Sequence, residues 1–334
     1  MKAVVLRKLG DPDVLQLQAV PDPQPGPGEV VVRLRAAALN RRDVWIRKGR
    51  YAGIKLPVIL GSDGAGEILE TGAGADSALI GREVVIDPAF NWGDDERSQG
   101  PDFQILGLPR DGTYAERVTV PAANVHAKPP HLSFEEAAAV PLASVTAFRA
   151  LVTRARLGVG ETLVITGIGG GVATCALLIA THLGAARVYV TSGTPAKIDA
   201  ARAHGAAGGV DHNDPDWARA LTTLIGGRPD VVIDGAGGET LNAALDLVAP
   251  GGRVVSYGAT LGPAKNVEVR RIFWKQISVL GSTMGTRGDF AAMLQLYAAG
   301  LRPIVDRVFP LSEAAEAHRR MEEAKQFGKI VLKI

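Results

Sequence analysis

At residues 161–173 the chain reads Glu161-Thr-Leu-Val-Ile-Thr-Gly-Ile-Gly-Gly-Gly-Val-Ala173. The apolar run Leu163–Thr166 is typical of a strand that is buried on both faces of a parallel sheet. A helix-forming stretch, Thr174–Leu183, follows the glycines directly. The segment therefore predicts a strand, a tight turn and a helix, an arrangement in which glycine N–H groups and the positive helix end bind a pyrophosphate.

The glycine spacing alone does not show that this turn binds a dinucleotide. The pattern Gly-x-Gly-x-x-Gly/Ala is not met, because counting from Gly167 puts Val172 in the last position, so a plain glycine-rich turn stays an alternative. The surroundings favour dinucleotide binding, since Arg187–Ser192 predicts a second strand and Thr194-Pro195 opens another helix. The residues expected at the pyrophosphate are Gly169, Gly170, Gly171 and Val172.

Length and composition narrow the class of protein. The 334 residues can form two domains, and a formal net charge of +2 gives no sign of a nucleic-acid partner. Apolar runs are far shorter than the roughly 20 residues needed to cross a bilayer, and the N-terminus lacks a secretory pattern, so we expect a soluble cytoplasmic protein. Cys175 is the only cysteine, which excludes an intramolecular disulfide, and we expect its thiol to be buried.

The pattern of elements changes twice along the chain. Residues 1–125 are β-rich, residues 126–264 alternate strands with helices, and residues 265–334 are mixed. The predicted strands are Lys2–Arg7, Val14–Val20, Glu29–Ala38, Gly66–Thr71, Glu83–Asp87, Leu163–Thr166, Arg187–Ser192, Asp230–Asp234, Arg253–Tyr257, Val267–Val269, Ser278–Leu280, Val305–Phe309 and Lys329–Lys333. Two predicted helices are given by their starts, one at the capping box of Ser133 and Glu136 and one at Thr194. The other predicted helices span Ser144–Arg154, Thr174–Leu183, Asp214–Ile225, Glu239–Val248 and Ser312–Lys325.

The chain resembles the medium-chain dehydrogenase/reductase superfamily over essentially its whole length. The resemblance is carried by Gly61-Ser-Asp-Gly-Ala-Gly66, Asp111-Gly-Thr-Tyr-Ala-Glu116 and Leu280-Gly-Ser-Thr-Met-Gly285, which occur in the family's order. It implies an α/β protein in which a doubly wound parallel-sheet Rossmann domain, 126–264, is inserted into a GroES-like β-rich catalytic domain, 1–125 and 265–334. It also implies that the cleft between the domains holds nicotinamide and substrate, and that two copies join their Rossmann sheets in a homodimer.

The residues that bind catalytic zinc in zinc-dependent members differ here. Those members have a Cys-x-x-Asp segment, a His-Glu pair and a later Cys, and the matching positions are Asn40, Ser62 with Asp63, and Leu142. Amide, hydroxyl and isobutyl groups cannot replace thiolate and imidazole ligands, so we expect no metal at this site. The chain is similar to the zinc-free quinone oxidoreductase branch, whose Asn-x-x-Asp segment is matched by Asn40-Arg-Arg-Asp43.

The family's structural-zinc lobe corresponds to Asn91–Gly100, which has no cysteine. We expect Trp92 and Phe103 to pin this loop by packing. Its acidic run, Asp94–Glu96, is either a solvent-facing surface or a site for a hard metal ion.

Loss of a Lewis acid limits the chemistry that the resemblance implies. Hydride transfer to a quinone, or to a C=C bond conjugated to a carbonyl, needs only orientation and a hydrogen bond to the developing oxyanion. The expected function is therefore an NADPH-dependent quinone oxidoreductase or enone reductase. The alternatives are an alcohol dehydrogenase that uses a non-metal proton relay, and a protein that binds NADPH without turnover.

Five residues are candidates for the reacting end. Asn40 either donates its amide N–H to the acceptor oxygen or closes a turn, and Asp43 either caps the next helical turn or transfers a proton. Tyr51, with Trp45, forms a stacking wall or packs in the loop, and its hydroxyl is a possible proton donor. Ser62 and Asp63 either order a water molecule in the space that the metal has left or hydrogen-bond the loop.

A basic run surrounds these candidates. Half of the residues in the ten-residue window 41–50 are cationic: Arg41, Arg42, Arg47, Lys48 and Arg50. Such a run predicts a solvent-facing surface, with an electropositive cleft entrance as the functional alternative.

The end of the second Rossmann strand predicts the cofactor. An acidic residue there binds the ribose 2′-OH of NAD, whereas this chain has Ser192. Ser192, Thr194 and Lys197 can together bind a 2′-phosphate, which favours NADPH, and Asp211 is expected beyond the third strand. By resemblance, the nicotinamide side of the site is formed by Thr146, Ser282, Thr283 and Met284. Gly258 is a further cofactor candidate, because it follows a strand of the parallel sheet and ligands of such sheets lie at the carboxyl ends of the strands.

Overall fold

A computed structural model of the protein describes residues 1–184 and 187–334. The strands are β1 (Lys2–Leu6), β2 (Leu15–Ala19), β3 (Glu29–Ala38), β4 (Val58–Ile59), β5 (Asp63–Thr71), β6 (Glu83–Ile86), β7 (Ala89–Phe90), β8 (Gln104–Ile105), β9 (Arg117–Pro121), β10 (Val125–Ala127), β11 (Leu163–Ile165), β12 (Val188–Ser192), β13 (Gly208–Asp211), β14 (Val231–Asp234), β15 (Arg253–Ser256), β16 (Ser278–Gly281), β17 (Val305–Pro310) and β18 (Lys329–Lys333).

The helices complete the set of elements. They are α1 (Arg41–Arg47), α2 (Phe134–Ala138), α3 (Pro141–Phe148), α4 (Gly171–His182), α5 (Pro195–Ala203), α6 (Trp217–Ile225), α7 (Gly238–Leu247), α8 (Val269–Lys275), α9 (Arg287–Ala298) and α10 (Ala314–Glu322). Residues Arg149–Arg154 continue α3 as a π-helical segment. No helix in the described part of the chain is both long enough and apolar enough to cross a membrane.

Two compact units divide the chain. Unit 1 contains Met1–Ala143 and Thr286–Ile334, and unit 2 contains Ser144–Gly285. The sequence placed the boundaries earlier, after residues 125 and 264. The observed boundaries come later because α2 packs on β3 and β5 of unit 1, and because β16 pairs with β15 of unit 2.

Unit 1 is the β-rich unit that the sequence predicts. Its largest sheet has the order β10-β6-β5-β3-β18-β17, with β9 also paired to β3, and its N-terminal hairpin of β1 and β2 extends to β4. Alternating residues of β3, including Val30, Val32 and Leu34, pack into the core of this sheet. The last strand matters most for the site: β18 pairs antiparallel with β3, Val331 opposite Ala38, and so brings the end of the chain to the end of β3.

Unit 2 is a doubly wound parallel sheet, as predicted. Its six strands have the order β13-β12-β11-β14-β15-β16, and every pair is parallel. The central strands are fully buried apolar runs, represented by Val164, Val232 and Val254. The carboxyl ends of these strands lie along one edge, which is where ligands of such sheets bind.

Two local predictions differ from the structure. The predicted strand Val267–Val269 is wrong, because Glu268 accepts a hydrogen bond from Arg270 N at 3.0 Å and starts α8 at Val269. Helix α9, which is absent from the elements predicted from the sequence, begins with a reciprocal capping box between Thr286 and Asp289.

Candidate active site

Four polar side chains form a buried cluster, the Asn40 cluster, in unit 1: Asn40, Asp43, Asp63 and Lys329. The sheet positions them. Asp63 is opposite Ala38 in the pairing of β5 with β3, and Lys329 starts the strand that pairs with β3 on its other side. Asn40 immediately precedes α1. The cluster therefore forms where three strands and a helix meet.

Lys329 is the part of this cluster that the sequence analysis missed. Its side chain is 3 % exposed, and its ammonium donates to Asp63 Oδ2 at 2.8 Å, to Asn40 Oδ1 at 2.7 Å and to the Leu39 carbonyl at 2.8 Å. All three donors of the ammonium are thus used. The sequence offered no local signal for this burial, because the strand Lys329–Lys333 has a lysine at each end and the other one, Lys333, is exposed.

These contacts fix the orientation of the Asn40 amide. Its Nδ2 donates to Asp63 Oδ2 at 2.9 Å while its Oδ1 accepts from Lys329. Because an ammonium only donates and a carboxylate only accepts, the reversed amide would face two mismatched partners. The second N–H of Nδ2 makes no hydrogen bond to a described residue, so it can donate to a ligand.

Both carboxylate oxygens of Asp63 accept hydrogen bonds. Its Oδ1 accepts from the Leu142 backbone N–H at 2.8 Å, and its Oδ2 takes the bonds from Asn40 and Lys329. These contacts are hydrogen bonds to protein, which is one of the two alternatives that the sequence left open for Asp63. These residues do not fit a zinc ion, because the Asp63 carboxylate at the expected position is paired with the Lys329 ammonium and Leu142 offers only a backbone N–H. Across residues 1–184 and 187–334, no three His, Cys, Asp or Glu side chains lie close enough to hold a metal ion.

Asp43 links the cluster to the segment at 111–116. Its Oδ2 accepts from Asn40 N at 2.8 Å, which is the helix-capping contact that the sequence predicted, and from Tyr114 Oη at 3.0 Å. Burial raises the pKa of the Asp43 carboxyl above its ordinary value, although the nearby Arg42 opposes this shift. Tyr114 can reach Asp43 because Gly112 allows two backbones to touch: a Cβ there would lie 2.0 Å from the Gly61 carbonyl oxygen.

The basic run is not uniformly exposed, so the prediction of a solvent-facing surface is wrong for Arg42 and Arg47. Arg42 Nη1 donates to Ser62 Oγ at 2.7 Å and to the Leu106 carbonyl at 2.8 Å. Ser62 itself donates to Leu106 O at 2.7 Å, so it hydrogen-bonds the loop as one of its alternatives predicted. Arg47 is fully buried and forms an ion pair with Glu322.

A buried histidine lies beside Arg47. Arg47 Nε and His318 Nδ1 are 3.4 Å apart, and Tyr114 Oη is 3.5 Å from His318 Nε2. Burial, with a smaller contribution from the Arg47 cation, lowers the pKa of His318 to about 3. His318 is therefore neutral in the folded protein at physiological pH.

The two aromatic candidates each lie against a guanidinium. Arg42 Cζ is 5.1 Å from the Tyr51 ring centroid, and Arg50 Cζ is 5.9 Å from that of Trp45. Tyr51 is half-buried, and its hydroxyl makes no hydrogen bond to any residue described. It remains a candidate for both stacking and proton donation.

In unit 2 the glycine segment forms the predicted strand, turn and helix. Gly167 and Gly169 have φ values of +65° and +109°, which favour glycine. Helix α4 begins at Gly171, and no side chain caps its N-terminus at Gly170. The amides of the first turn, including that of Val172, are thus oriented as a dinucleotide pyrophosphate requires, and the residues fit that group.

The predicted 2′-phosphate residues lie together at the end of β12. Ser192 is the last residue of that strand, its Oγ accepts from Thr194 N at 3.1 Å, and Lys197 is in the first turn of α5. One detail differs from the sequence analysis: Asp211 does not lie beyond the third strand but ends β13, in register with Ser192. Its Oδ1 accepts from Asn213 N at 2.9 Å.

The remaining cofactor candidates also lie in unit 2. Ser282 and Thr283 follow β16, Ser282 Oγ is buried without a partner among the described residues, and Met284 has a φ of +44°, which is uncommon outside glycine. A Cβ at Gly258 would lie 3.0 Å from the Gly235 carbonyl. Thr146 is buried in α3.

Two further predictions concern packing. The rings of Trp92 and Phe103 make an edge contact at 5.3 Å, as expected for the loop that has lost its cysteines, and Asp95 in the acidic run forms an ion pair with Arg97. Cys175 is buried, as predicted, and lies 3.3 Å from Ser144 Oγ.

Comparisons with known proteins agree with both units. A family model described as "Alcohol dehydrogenase GroES-like domain" matches residues 26–130, and one described as "Zinc-binding dehydrogenase" matches residues 171–299. The chain is 35 % identical to a "Zinc-type alcohol dehydrogenase-like protein YogA" of Leptosphaeria maculans, over 96 % of this chain and 94 % of that protein. It is 32 % identical to a "Quinone oxidoreductase" of Pseudomonas aeruginosa, over 99 % of both chains.

A solved structure is more similar still. A crystal structure described as an NAD-dependent alcohol dehydrogenase superposes with a TM-score of 0.95, at 41 % identity and over 100 % of both chains. The names of these similar proteins differ in both the cofactor and the reaction.

Proposed function

The chain belongs to the medium-chain dehydrogenase/reductase superfamily, and we propose that it is a zinc-independent reductase that transfers hydride from NADPH to a quinone or an α,β-unsaturated carbonyl compound. One observation carries the proposal. The Asn40 amide is fixed by Lys329 and Asp63 at the position where the resemblance places a metal ligand, and one of its N–H groups remains for a ligand oxygen.

The proposed role of Asn40 follows from the charge that develops on the acceptor. When a quinone or enone accepts hydride at carbon, negative charge moves onto its oxygen, and a preorganised N–H stabilises that oxygen most in the transition state. Lys329 and Asp63 hold the amide, so little reorganisation is needed during the reaction. Tyr51 is the proposed proton donor, because its hydroxyl is bonded to no described residue.

The cofactor proposal rests on residues of unit 2. Bound reduced nicotinamide would supply the hydride. The uncapped amides at the start of α4 suit its pyrophosphate, while Ser192, Thr194 and Lys197 suit a 2′-phosphate. No carboxylate occupies the last position of β12, which favours NADPH over NADH.

A direct test follows reduced-cofactor absorbance while purified protein is mixed with NADPH and a panel of para-quinones, ortho-quinones and enones. We expect turnover with at least one class, and Asn40→Ala should lower kcat by about 10²–10³ while the Kd for NADPH stays unchanged. Asn124→Ala, which removes another buried amide of unit 1, is the matched control and should leave kcat near that of the wild type.

Two outcomes would contradict the proposal. Tight NADPH binding without turnover of any acceptor favours a binding protein. Equal losses in kcat and in NADPH affinity for Asn40→Ala would assign that residue a folding role.

A second candidate is oxidation of an alcohol, which we keep because the solved structure at 41 % identity bears that name. It would need a non-metal group to take the hydroxyl proton, and Asp43, a buried carboxyl with a raised pKa, accepts a hydrogen bond from Asn40 N. Formation of reduced cofactor from alcohols with NAD⁺ or NADP⁺, in protein freed of metal by a chelator, would favour this reaction.

We further propose that the protein is a homodimer. Strand β16 is the outer strand of its sheet and is largely exposed, so its free edge can pair with that of a second copy. Large apolar side chains near it are exposed, with Trp274 83 %, Phe273 62 % and Val279 45 %. Exposed apolar groups beside an unpaired strand edge support a self-complementary interface.

A further inference from the structure

Arg42 is buried, and no residue in the described part of the chain pairs with its charge. Only 8 % of the residue is exposed, yet it forms no ion pair with any described carboxylate. Arg47, five residues later in the same run, is also buried but is paired with Glu322. Since a buried charge is normally paired, Arg42 is the exception that requires an explanation.

Most donors of the Arg42 guanidinium are unused. Nη1 makes both observed hydrogen bonds, to the neutral oxygens of Ser62 and Leu106. Nε is buried with no partner, and Nη2 bonds to nothing in the described chain. The free Nε–H and Nη2–H are on one edge of the planar group, which is the edge that binds both oxygens of a carboxylate.

Neighbouring acids do not fill this edge. Asp63 is already bonded by Lys329, Asn40 and Leu142, and Asp43 Oδ2 accepts from Asn40 and Tyr114. Burial raises the pKa of Asp43, and the charge of Arg42 opposes this shift. No described carboxylate is therefore hydrogen-bonded to the guanidinium, and its Nε–H and Nη2–H stay available to a ligand.

The shape of the surroundings indicates a flat ligand. The Tyr51 ring packs 5.1 Å from Arg42 Cζ, and stacking on a guanidinium face leaves its in-plane N–H groups available. Asn40 and Arg42 are two residues apart, so their Cα atoms are within about 7 Å, and one small molecule can reach both.

We propose that Arg42 binds the carboxylate of the acceptor, and that the substrates are small conjugated carbonyl compounds that carry an acid group. This inference rests on the proposed function and specifies its substrate class. Arg42 holds the carboxylate, Asn40 donates to the carbonyl oxygen, and Tyr51 covers the flat conjugated part. Ser62 holds the guanidinium in place.

The reduction of a 4-oxo-2-enoate shows how hydride, electrons and proton are accounted for in the proposed reaction. Hydride from NADPH adds to the alkene carbon β to the ketone, the C=C electron pair moves towards the ketone oxygen, and one proton is added at the α carbon. The products are the saturated 4-oxo acid and NADP⁺. The carboxylate takes no part in these changes and serves only for recognition.

The test compares an acid with its own ester. Turnover of trans-4-oxopent-2-enoate and of its methyl ester is measured with NADPH, and binding of the unreactive saturated acid and its methyl ester is measured by calorimetry. The wild type should favour each acid by about tenfold or more, and Arg42→Met should bring the acid-to-ester ratio of kcat/KM to about one by lowering turnover of the acid more than that of the ester. Arg42→Lys, which keeps the positive charge but not the planar pair of N–H donors, should retain part of the preference for the acid.

A matched control comes from the same basic run. Arg50 lies against the Trp45 ring but is exposed, so Arg50→Met should keep the full preference for the acid. Equal losses for acid and ester in Arg42→Met would overturn the inference, and so would a wild type without any preference, a result that needs no variant to fold. If neither compound is reduced, the proposed function fails, while calorimetry with the saturated acid and ester still decides the role of Arg42.

Discussion

Removing the Lys329 ammonium tests the central arrangement of the site. Lys329→Met keeps a long apolar side chain at the start of β18 but leaves the Asp63 carboxylate, which is fully buried, without a cation. Asp63 would retain two hydrogen bonds, from Asn40 Nδ2 and from Leu142 N. Asn40 would lose the only contact that requires its Oδ1 to face β18.

The expected magnitude follows from the burial of both charges. Breaking a buried ion pair by removing one partner costs about 3–5 kcal/mol, and for a unit of this size each kcal/mol lowers Tm by about 2–4 °C. We therefore expect Lys329→Met, and separately Asp63→Asn, to lower Tm by roughly 6–20 °C. The double variant leaves no unpaired charge, so its loss should be smaller than the sum of the two by about 2 kcal/mol or more.

Differential scanning calorimetry of the full chain at pH 7 measures these effects, with Lys333→Met as the control, since that lysine lies on the same strand with its side chain 68 % exposed. Turnover is measured on the same samples. We expect Lys329→Met to lower kcat more than it changes the Kd for NADPH, because the Asn40 amide is no longer held. Additive losses in the double variant, or an unchanged Tm in Lys329→Met, would refute the reasoning.

Four further predictions test other parts of the chain. Burial lowers the pKa of His318 to about 3 in the folded protein, against 6.5 in the unfolded chain, so the free energy of unfolding falls by up to about 1.4 kcal/mol per pH unit as the pH is lowered from about 6.5 towards 3. His318→Gln should therefore flatten the curve of Tm against pH between pH 7 and 5, and a slope identical to that of the wild type would contradict this. Burial raises the pKa of Asp87 to about 7, so stability falls as the pH rises from about 4 to 7, and Asp87→Asn should remove that opposite slope in the same thermal scans. Ser192→Asp should weaken NADPH by about tenfold or more while sparing NADH, and an unchanged ratio of their Kd values would remove Ser192 from the cofactor site. Trp274→Asp should convert the proposed dimer to a monomer in light scattering, whereas a monomeric wild type would overturn that proposal.

The parts that the sequence predicted depend on local patterns. Strand β11 is a short apolar run followed by glycines, and the hairpin of β1 and β2 alternates around a turn that contains Pro12. The capping box of Ser133 and Glu136 is present with both hydrogen bonds. Such signals act within a few residues, and they were sufficient to predict both units and the glycine turn.

The parts that it missed depend on distant contacts. Lys329 and Asp63 are 266 residues apart, and they meet only because β18 pairs with β3. Arg42 lies in a run that is basic by composition, and its burial is set by the Leu106 carbonyl, 64 residues later. No pattern within the window of a helix or strand contains this information.

The strand predicted at Val267–Val269 failed for a related reason. Alternating valines favour a strand, but they are followed by Arg270-Arg-Ile-Phe-Trp274, and Glu268 caps the helix through its side chain. A capping contact of one hydrogen bond outweighed the β-branched residues, which here have no neighbouring strand on which to pack.

The chemistry that remains possible follows from which cations the site contains. A zinc ion activates a substrate by offering an open coordination position. The Lys329 ammonium donates its three N–H groups to Leu39, Asn40 and Asp63, so it has none left to donate to a substrate oxygen. Arg42 is the opposite case, since it is held by one nitrogen and has an unused edge. The two buried cations therefore have different roles. On the two proposals, Lys329 acts through the orientation of the Asn40 N–H and Arg42 acts on the ligand directly. A variant at Lys329 should therefore change kcat for every acceptor, whereas one at Arg42 should lower turnover of acids more than that of their esters.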